Sequence, residues 1–214
     1  MDGLDSGFSE GHPPKRTILD DKPLPPRWVM QLLTPRLMLR PWRDADRQPF
    51  AEMSRDPQVM QYLRPLATAE ACNAWIDGHI AHQEAHGFCL WPCELRESGA
   101  FVGAVGLFRL GFEAHFTPAV EIGWRTARQF WGQGYATEVA DAALGFGFRE
   151  IGVPEIVAQA VPQNVRSRRV MEKLGMSRDP ADDHDHPLLP EGDPRRPHVL
   201  YRLRRDEWLP RNTG

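Results

Sequence analysis

Residues 128 to 138 read RQFWGQGYATE, with two glycines one residue apart, Gly132 and Gly134, set directly before a helix-forming run. Glycine adopts backbone angles closed to other residues and lets the main chain come close to a ligand. A helix begins with unpaired N–H groups at the positive end of its dipole, so glycines placed there suit an anion. The same residues would serve a tight strand-to-helix turn with no ligand, and the short pattern alone leaves both readings open. Either way, a strand, a turn and a helix must follow one another here. AVEIGWR supplies the strand; Ala136, Val139, Ala140, Ala143, Leu144 and Phe148 then recur at helical spacing and give the helix one buried face.

With 214 residues the chain can bury one sizeable core and still carry an extension. Its net charge of −3 gives no reason to expect nucleic acid or a membrane surface as partner. No apolar run approaches the roughly 20 residues of a membrane helix, and the amino terminus lacks the regions of a signal peptide. Cys72, Cys89 and Cys93 make neither a disulfide framework nor a metal-binding spacing, so they read as reduced thiols of a cytoplasmic protein with no metal.

Residues 1–27 are rich in Gly, Pro, Asp and Lys without apolar periodicity, and read as a flexible extension; residues 28–214 form the body. LLTPRLMLRPW is expected to be a first strand, with Leu37 and Leu39 alternating against Arg36, Met38 and Arg40. Asp44 can cap a helix through Met53, and Thr68 opens a second to about Glu84. Strands GFCLWPCELRE and AFVGAVGLFRL join at Ser98-Gly99. Beyond the glycine turn and its helix, IGVPEIVAQAV contains a buried strand. A short helix follows in PQNVRSRRVMEKLGM, with Val165, Val170 and Leu174 facing the core and Gly175 at its end, and HVLYRL is the last strand. Between them, SRDPADDHDHPLLPEGDPRRP shows no periodicity. It reads as a flexible lip whose acids attract cationic amines and whose histidines are exposed, although Asp182, Asp183, His184, Asp185 and His186 could also suggest zinc. The element order describes a single mixed α/β domain.

Gln129-Phe130-Trp131-Gly132-Gln133-Gly134 fits the Q/R-x-x-G-x-G/A signature of the GNAT superfamily of acetyl-CoA-dependent N-acetyltransferases, which this chain resembles. Thr34 to Arg40, Trp131 to Glu138 and Asn164 to Met176 are similar to T-P-R-L-x-L-R, W-G-x-G-Y-A-T-E and N-x-x-S-x-x-V-x-E-K-L-G-F/M of the branch that contains the ribosomal-protein N-terminal acetyltransferases. The likeness spans about Leu32 to Leu203. A Rossmann site would want a third glycine and an early position, which Gly132 and Gly134 lack.

The resemblance implies a mostly antiparallel central sheet with two splayed parallel strands, flanked by helices. It implies acetyl-CoA as cosubstrate and a primary amine as acceptor, and it leaves a homodimer open. The main chain from Phe130 to Ala136, including Tyr135, would cradle pyrophosphate, with a polar contact from Gln129. Backbone groups of Ile122, Gly123 and Trp124 would run along the pantetheine arm, and Asn164 would bond it or cap its own helix.

Acyl transfer needs a neutral amine, a stabilised oxyanion and a proton for the thiolate. Glu121 stands where several superfamily members carry the base; its bland alternative is a solvent-facing carboxylate. The usual proton-donating tyrosine is replaced by Met171, and the branch points to Ser167 instead, with Tyr135 and Tyr201 as outside candidates. The missing tyrosine also admits a different class of function, a non-catalytic acyl-CoA-binding or sensing module.

Overall fold

A computed structural model of the chain describes residues 31–209, so the expected extension, residues 1–27, lies outside the described residues. The opening segment is a tight hairpin where a single strand was expected: β1 (Leu32–Leu33) pairs antiparallel with β2 (Leu37–Leu39). Leu37 and Leu39 are buried and Met38 only partly so, as strand alternation requires. Asp44 begins a single 3-10 turn, and its side chain pairs with Arg47 without capping a helix. The buried Arg40 forks onto Asp46 at 2.7 and 2.8 Å and onto Glu94 at 2.7 Å, tying β2 to the start of α1 (Arg47–Arg55). After α2 (Pro57–Met60), α3 (Ala69–His86) starts at Thr68, whose hydroxyl accepts from the Ala71 N–H, and stops at Gly87 with φ 80°.

The antiparallel run continues through β3 (Leu90–Leu95), β4 (Phe101–Arg109) and β5 (Val120–Thr126). From β5 the chain crosses through α4 (Tyr135–Phe146) and a π-helical turn at Gly147–Ile151 into β6 (Glu155–Ala160). The crossover makes β5 and β6 parallel. Next come α5 (Val165–Lys173), β7 (Ser177–Arg178), β8 (His184–Asp185), β9 (Pro197–Arg204) and α6 (Arg205–Trp208). The sheet runs β1-β2-β3-β4-β5-β6-β9-β7, with β8 added to β9. Successive strand residues point to opposite faces. Phe108 meets His79 of α3 on one face, and Leu107 packs at Gly147 after α4 on the other, where a side chain on that glycine would come within 2.8 Å of Leu107.

The parallel pair is splayed. β4 and β5 pair at seven positions and β6 and β9 at six, but β5 and β6 meet only at Glu121–Val157. Among the described residues, Ile122 to Thr126 therefore have no partner strand on the β6 side.

Two expectations are corrected. In α5, Val165 is 47% exposed and Met171 is buried in its place, while Leu174 at the end of the helix is buried as expected. The segment expected to be a free acidic lip is paired onto β9 through β7 and β8, and its acids face arginines: Asp182 accepts from Arg202 at 2.7 Å, Asp183 pairs with Arg178 and Asp185 with Arg196. His184 and His186 are only partly exposed.

Candidate active site

β5 ends in a 3-10 turn, Arg128–Phe130, where the N–H groups of Phe130 and Trp131 pair back to Ala127 and Arg128. From Gly132 to Thr137, the main-chain N–H groups have no acceptor among the described residues. The open row thus begins two residues later than the expected Phe130. Gly132 and Gly134 have φ of 76° and 81°, a region where other residues are strained. Among the described residues, a side chain at Gly132 would meet nothing within 4 Å, and one at Gly134 only Arg36, at 3.5 Å. These glycines therefore serve backbone direction, and they lie within a row of six unpaired N–H groups at the start of a twelve-residue helix.

The turn is stapled to the opening hairpin. Glu138, in the first turn of α4, accepts from the Thr34 hydroxyl at 2.6 Å, the Arg36 N–H at 2.9 Å and the Arg36 guanidinium at 2.6 Å. Arg36 also donates to the Gln133 carbonyl and lies over the Tyr135 ring at 4.4 Å. Burial pushes the Glu138 carboxyl up, but the donors from Thr34 and Arg36 outweigh it and hold it below its ordinary value.

Turn, splay and α5 enclose a cleft of about 650 Å³. Ile122, Gly123 and Trp124 border it, as do Phe130, Trp131, Gly132, Gly134, Tyr135 and Ala136. Asn164, Ser167 and Met171 complete that end. Gln129 and Gln133 do not: Gln129 borders a separate cleft beside Asp56, and the Gln133 side chain donates to the Gln129 carbonyl. The Asn164 side chain accepts from the Ser167 N–H at 3.2 Å, so it caps its own helix while bordering the cleft. The Tyr201 hydroxyl lies away from the cleft and donates to Glu172.

At the other end stands Glu121. Helices cover both faces of β5, and the side chain is only 7% exposed, so the solvent-facing alternative fails. Burial pushes its carboxyl up to about 8, against the lowering effect of a 2.9 Å hydrogen bond donated by the Gln159 amide. The Gln159 carbonyl oxygen in turn accepts from His184 Nε2 at 3.1 Å. The sequence does not show that Gln159 meets Glu121 or that His184 meets Gln159, because the β5–β6 pairing makes the first contact and the pairing of β6 and β8 with β9 the second. Nearby, burial holds His79 down at about 3 and His82 at about 4, so both are neutral at physiological pH. His82 Nε2 accepts from the Arg109 N–H, and its Nδ1 donates to the Phe88 carbonyl. Apart from Glu121, the non-histidine charges that described residues place on the cleft are all cationic: Arg109, Arg125, Arg166, Arg169 and Lys173. All three cysteines are buried, and burial pushes Cys93 up to about 12.

A sequence model of the acetyltransferase (GNAT) domain matches residues 36–177, more than half of the chain. The chain belongs to the GNAT family. This GNAT protein is 30% identical to the N-acetyltransferase YnaD of Bacillus subtilis over 84% of its own length and 99% of the relative's. It is 29% identical to the FsC-acetyl coenzyme A-N(2)-transacetylase of Aspergillus fumigatus, over 83% of itself and 77% of that protein. A GNAT acetyltransferase structure from Bacillus anthracis superposes with a TM-score of 0.69 at 26% identity, covering 83% of this chain and all of that one. The expected mixed α/β fold and the expected enzyme class, an acetyl-CoA-dependent acetyltransferase, are both borne out. Among the described residues, no helix is long and apolar enough to cross a membrane.

Proposed function

We propose that this GNAT protein, through a catalytic unit spanning residues 28–214, acetylates a primary amine by direct attack on acetyl-CoA bound in the cleft. The observation that carries the reading is the buried Glu121 in the same cleft as five of the six unpaired N–H groups, all but that of Gln133. The groups from Gly132 to Thr137 would hold the pyrophosphate, and the unpaired edge of β5 from Ile122 to Trp124 would bond the pantetheine arm. Acetyl-CoA supplies the activated acyl group. Glu121, ionised, takes a proton from the amine, and its raised carboxyl is well matched to that task near neutral pH. Holding the amine beside the acyl carbon supplies much of the rate.

Met171 borders the cleft where many relatives place a proton donor, and its thioether cannot donate. This observation favours a second reading, a sensor that binds acyl-CoA without turnover. Free thiol released from acetyl-CoA over a panel of amines separates the two: release with one or more amines supports the enzyme, and calorimetric binding without any release supports the sensor. We assign the thiolate's hydrogen bond to Ser167, one helical turn before Met171 and also on the cleft. Ser167→Ala is expected to lower kcat by roughly tenfold, with little change in KM for acetyl-CoA, because the bond strengthens only as charge develops on sulfur. Full kcat, with chemistry rate-limiting, would leave Ser167 as a helix residue only.

A further inference from the structure

We infer that the acceptor carries a carboxylate near its amine, as an amino acid does, and that Arg125 is the group that recognises it. The inference rests on the acetyltransferase reading and narrows its acceptor.

Arg125 lies four residues after Glu121 on β5, so both side chains leave the same face, with Cα atoms about 13 Å apart at strand rise. The guanidinium lies beside the stacked rings of Trp75 of α3 and Phe50 of α1, 5.0 and 5.5 Å from their centres. Its Nε and Nη1 are buried, and among the described residues neither has a hydrogen-bond partner and no carboxylate reaches the guanidinium. Arg40 and Arg202, by contrast, each face two carboxylates. A desolvated charge without a partner is unfavourable unless something else supplies the counter-charge. Burial lowers Arg125 only to about 10, so it remains cationic at physiological pH.

Arg125 borders the cleft that holds Glu121, and an acceptor bound between the two side chains would present its amine to one and its carboxylate to the other. The planar fork of arginine matches a carboxylate through paired, charge-assisted hydrogen bonds. The rest of the lining points the same way. Among the described residues Glu121 is its single acid, and the acids of residues 182–185 expected to draw in cations face arginines elsewhere. A polyamine would meet cationic walls, whereas an amino acid presents one charge of each sign.

The test compares kcat/KM of the full chain for matched acceptors: free amino acids, their primary carboxamides, and the amines that lack the carboxylate. The amine of a carboxamide is less basic and more of it is neutral at pH 7, so basicity alone favours the amide. We expect the free acid to be preferred by at least about tenfold, as for sites built around a substrate's polar group. In Arg125→Gln that ratio should shrink to about threefold or less, mainly through acceptor KM. Arg125→Lys, which keeps the charge without the fork, should fall between. Equal or better use of carboxamides or diamines by the wild type overturns the inference. An equal loss on all acceptors in the variant, or a loss of acetyl-CoA affinity, overturns it too. Should the glutamine variant misfold by circular dichroism, the wild-type ratio alone decides. If no amine releases thiol, the acetyltransferase reading fails by itself. N-acetylated amino acids and their amides titrated into the CoA-saturated protein then read the carboxylate site, and equal binding of both sinks it.

Discussion

Glu121→Gln is expected to lower kcat/KM by about 10²- to 10⁴-fold, the usual range for one acid–base group, while acetyl-CoA affinity by calorimetry stays close to wild type. The pH profile gives a sharper reading. Glu121 must be ionised to take a proton, and burial holds its carboxyl at about 8, so wild-type kcat/KM should rise as pH increases through about 8. The acceptor amine loses its proton in the same direction, so the limb needs a second assignment. Gln159 donates the hydrogen bond that pulls Glu121 down. In Gln159→Leu the carboxyl should therefore climb further, and the ascending limb should move to higher pH. A limb that stays put in that variant belongs to the amine, and Glu121 is then not the base.

The second large effect is expected at the turn. Gly134→Asp should weaken acetyl-CoA binding at least tenfold and leave the domain folded. With φ at 81°, the position strains most side chains, but Asp and Asn tolerate that region better than others, and among the described residues the only neighbour of an added carbon is an Arg36 nitrogen at 3.5 Å. A carboxylate there faces the proposed pyrophosphate. Two like charges about 4 Å apart repel by about 1 kcal/mol in water and about 4 kcal/mol near a protein surface. Gly134→Asn adds nearly the same shape without the charge and should lose less. Unchanged calorimetric affinity in a folded Asp variant would remove the anion from this turn.

What could be read from the chain and what could not divides along physical lines. The turn and α4 were legible because glycine conformation and a 3.6-residue apolar repeat are local properties: Val139, Ala140, Ala143 and Leu144 are all fully buried. The environment of Glu121 was not. Alternation assumes one wet face, but β5 lies mid-sheet with helices on both sides, so Val120, Glu121 and Ile122 are buried in succession. In α5 the spacing of Val165, Val170 and Leu174 suggested one face, but Val165 occupies the first helical position and stays exposed, while Met171 turns inward. The segment after α5 had no periodicity to read. It is held by Asp182 to Arg202, His115 to Asp182 and His184 to Gln159, contacts between residues far apart in sequence. Gln129 was chosen by its place in a motif, although its side chain borders a different cleft.

The staple between Thr34, Arg36 and Glu138 joins residues more than a hundred positions apart. A peptide cut from β5 through α4 would keep the glycines and the helix dipole but lose the contacts that aim them. The anion site is in this sense not portable: it comes into being with the long-range fold, and closing so wide a loop is an entropic cost met only when the sheet assembles. Coenzyme binding should accordingly raise the melting temperature of the whole domain, since the unfolded chain has no site to offer. Cutting and rejoining the chain within the Thr34–Arg36 turn should in turn damage coenzyme affinity, although that turn lies at the far end of the sequence from the glycines it steadies.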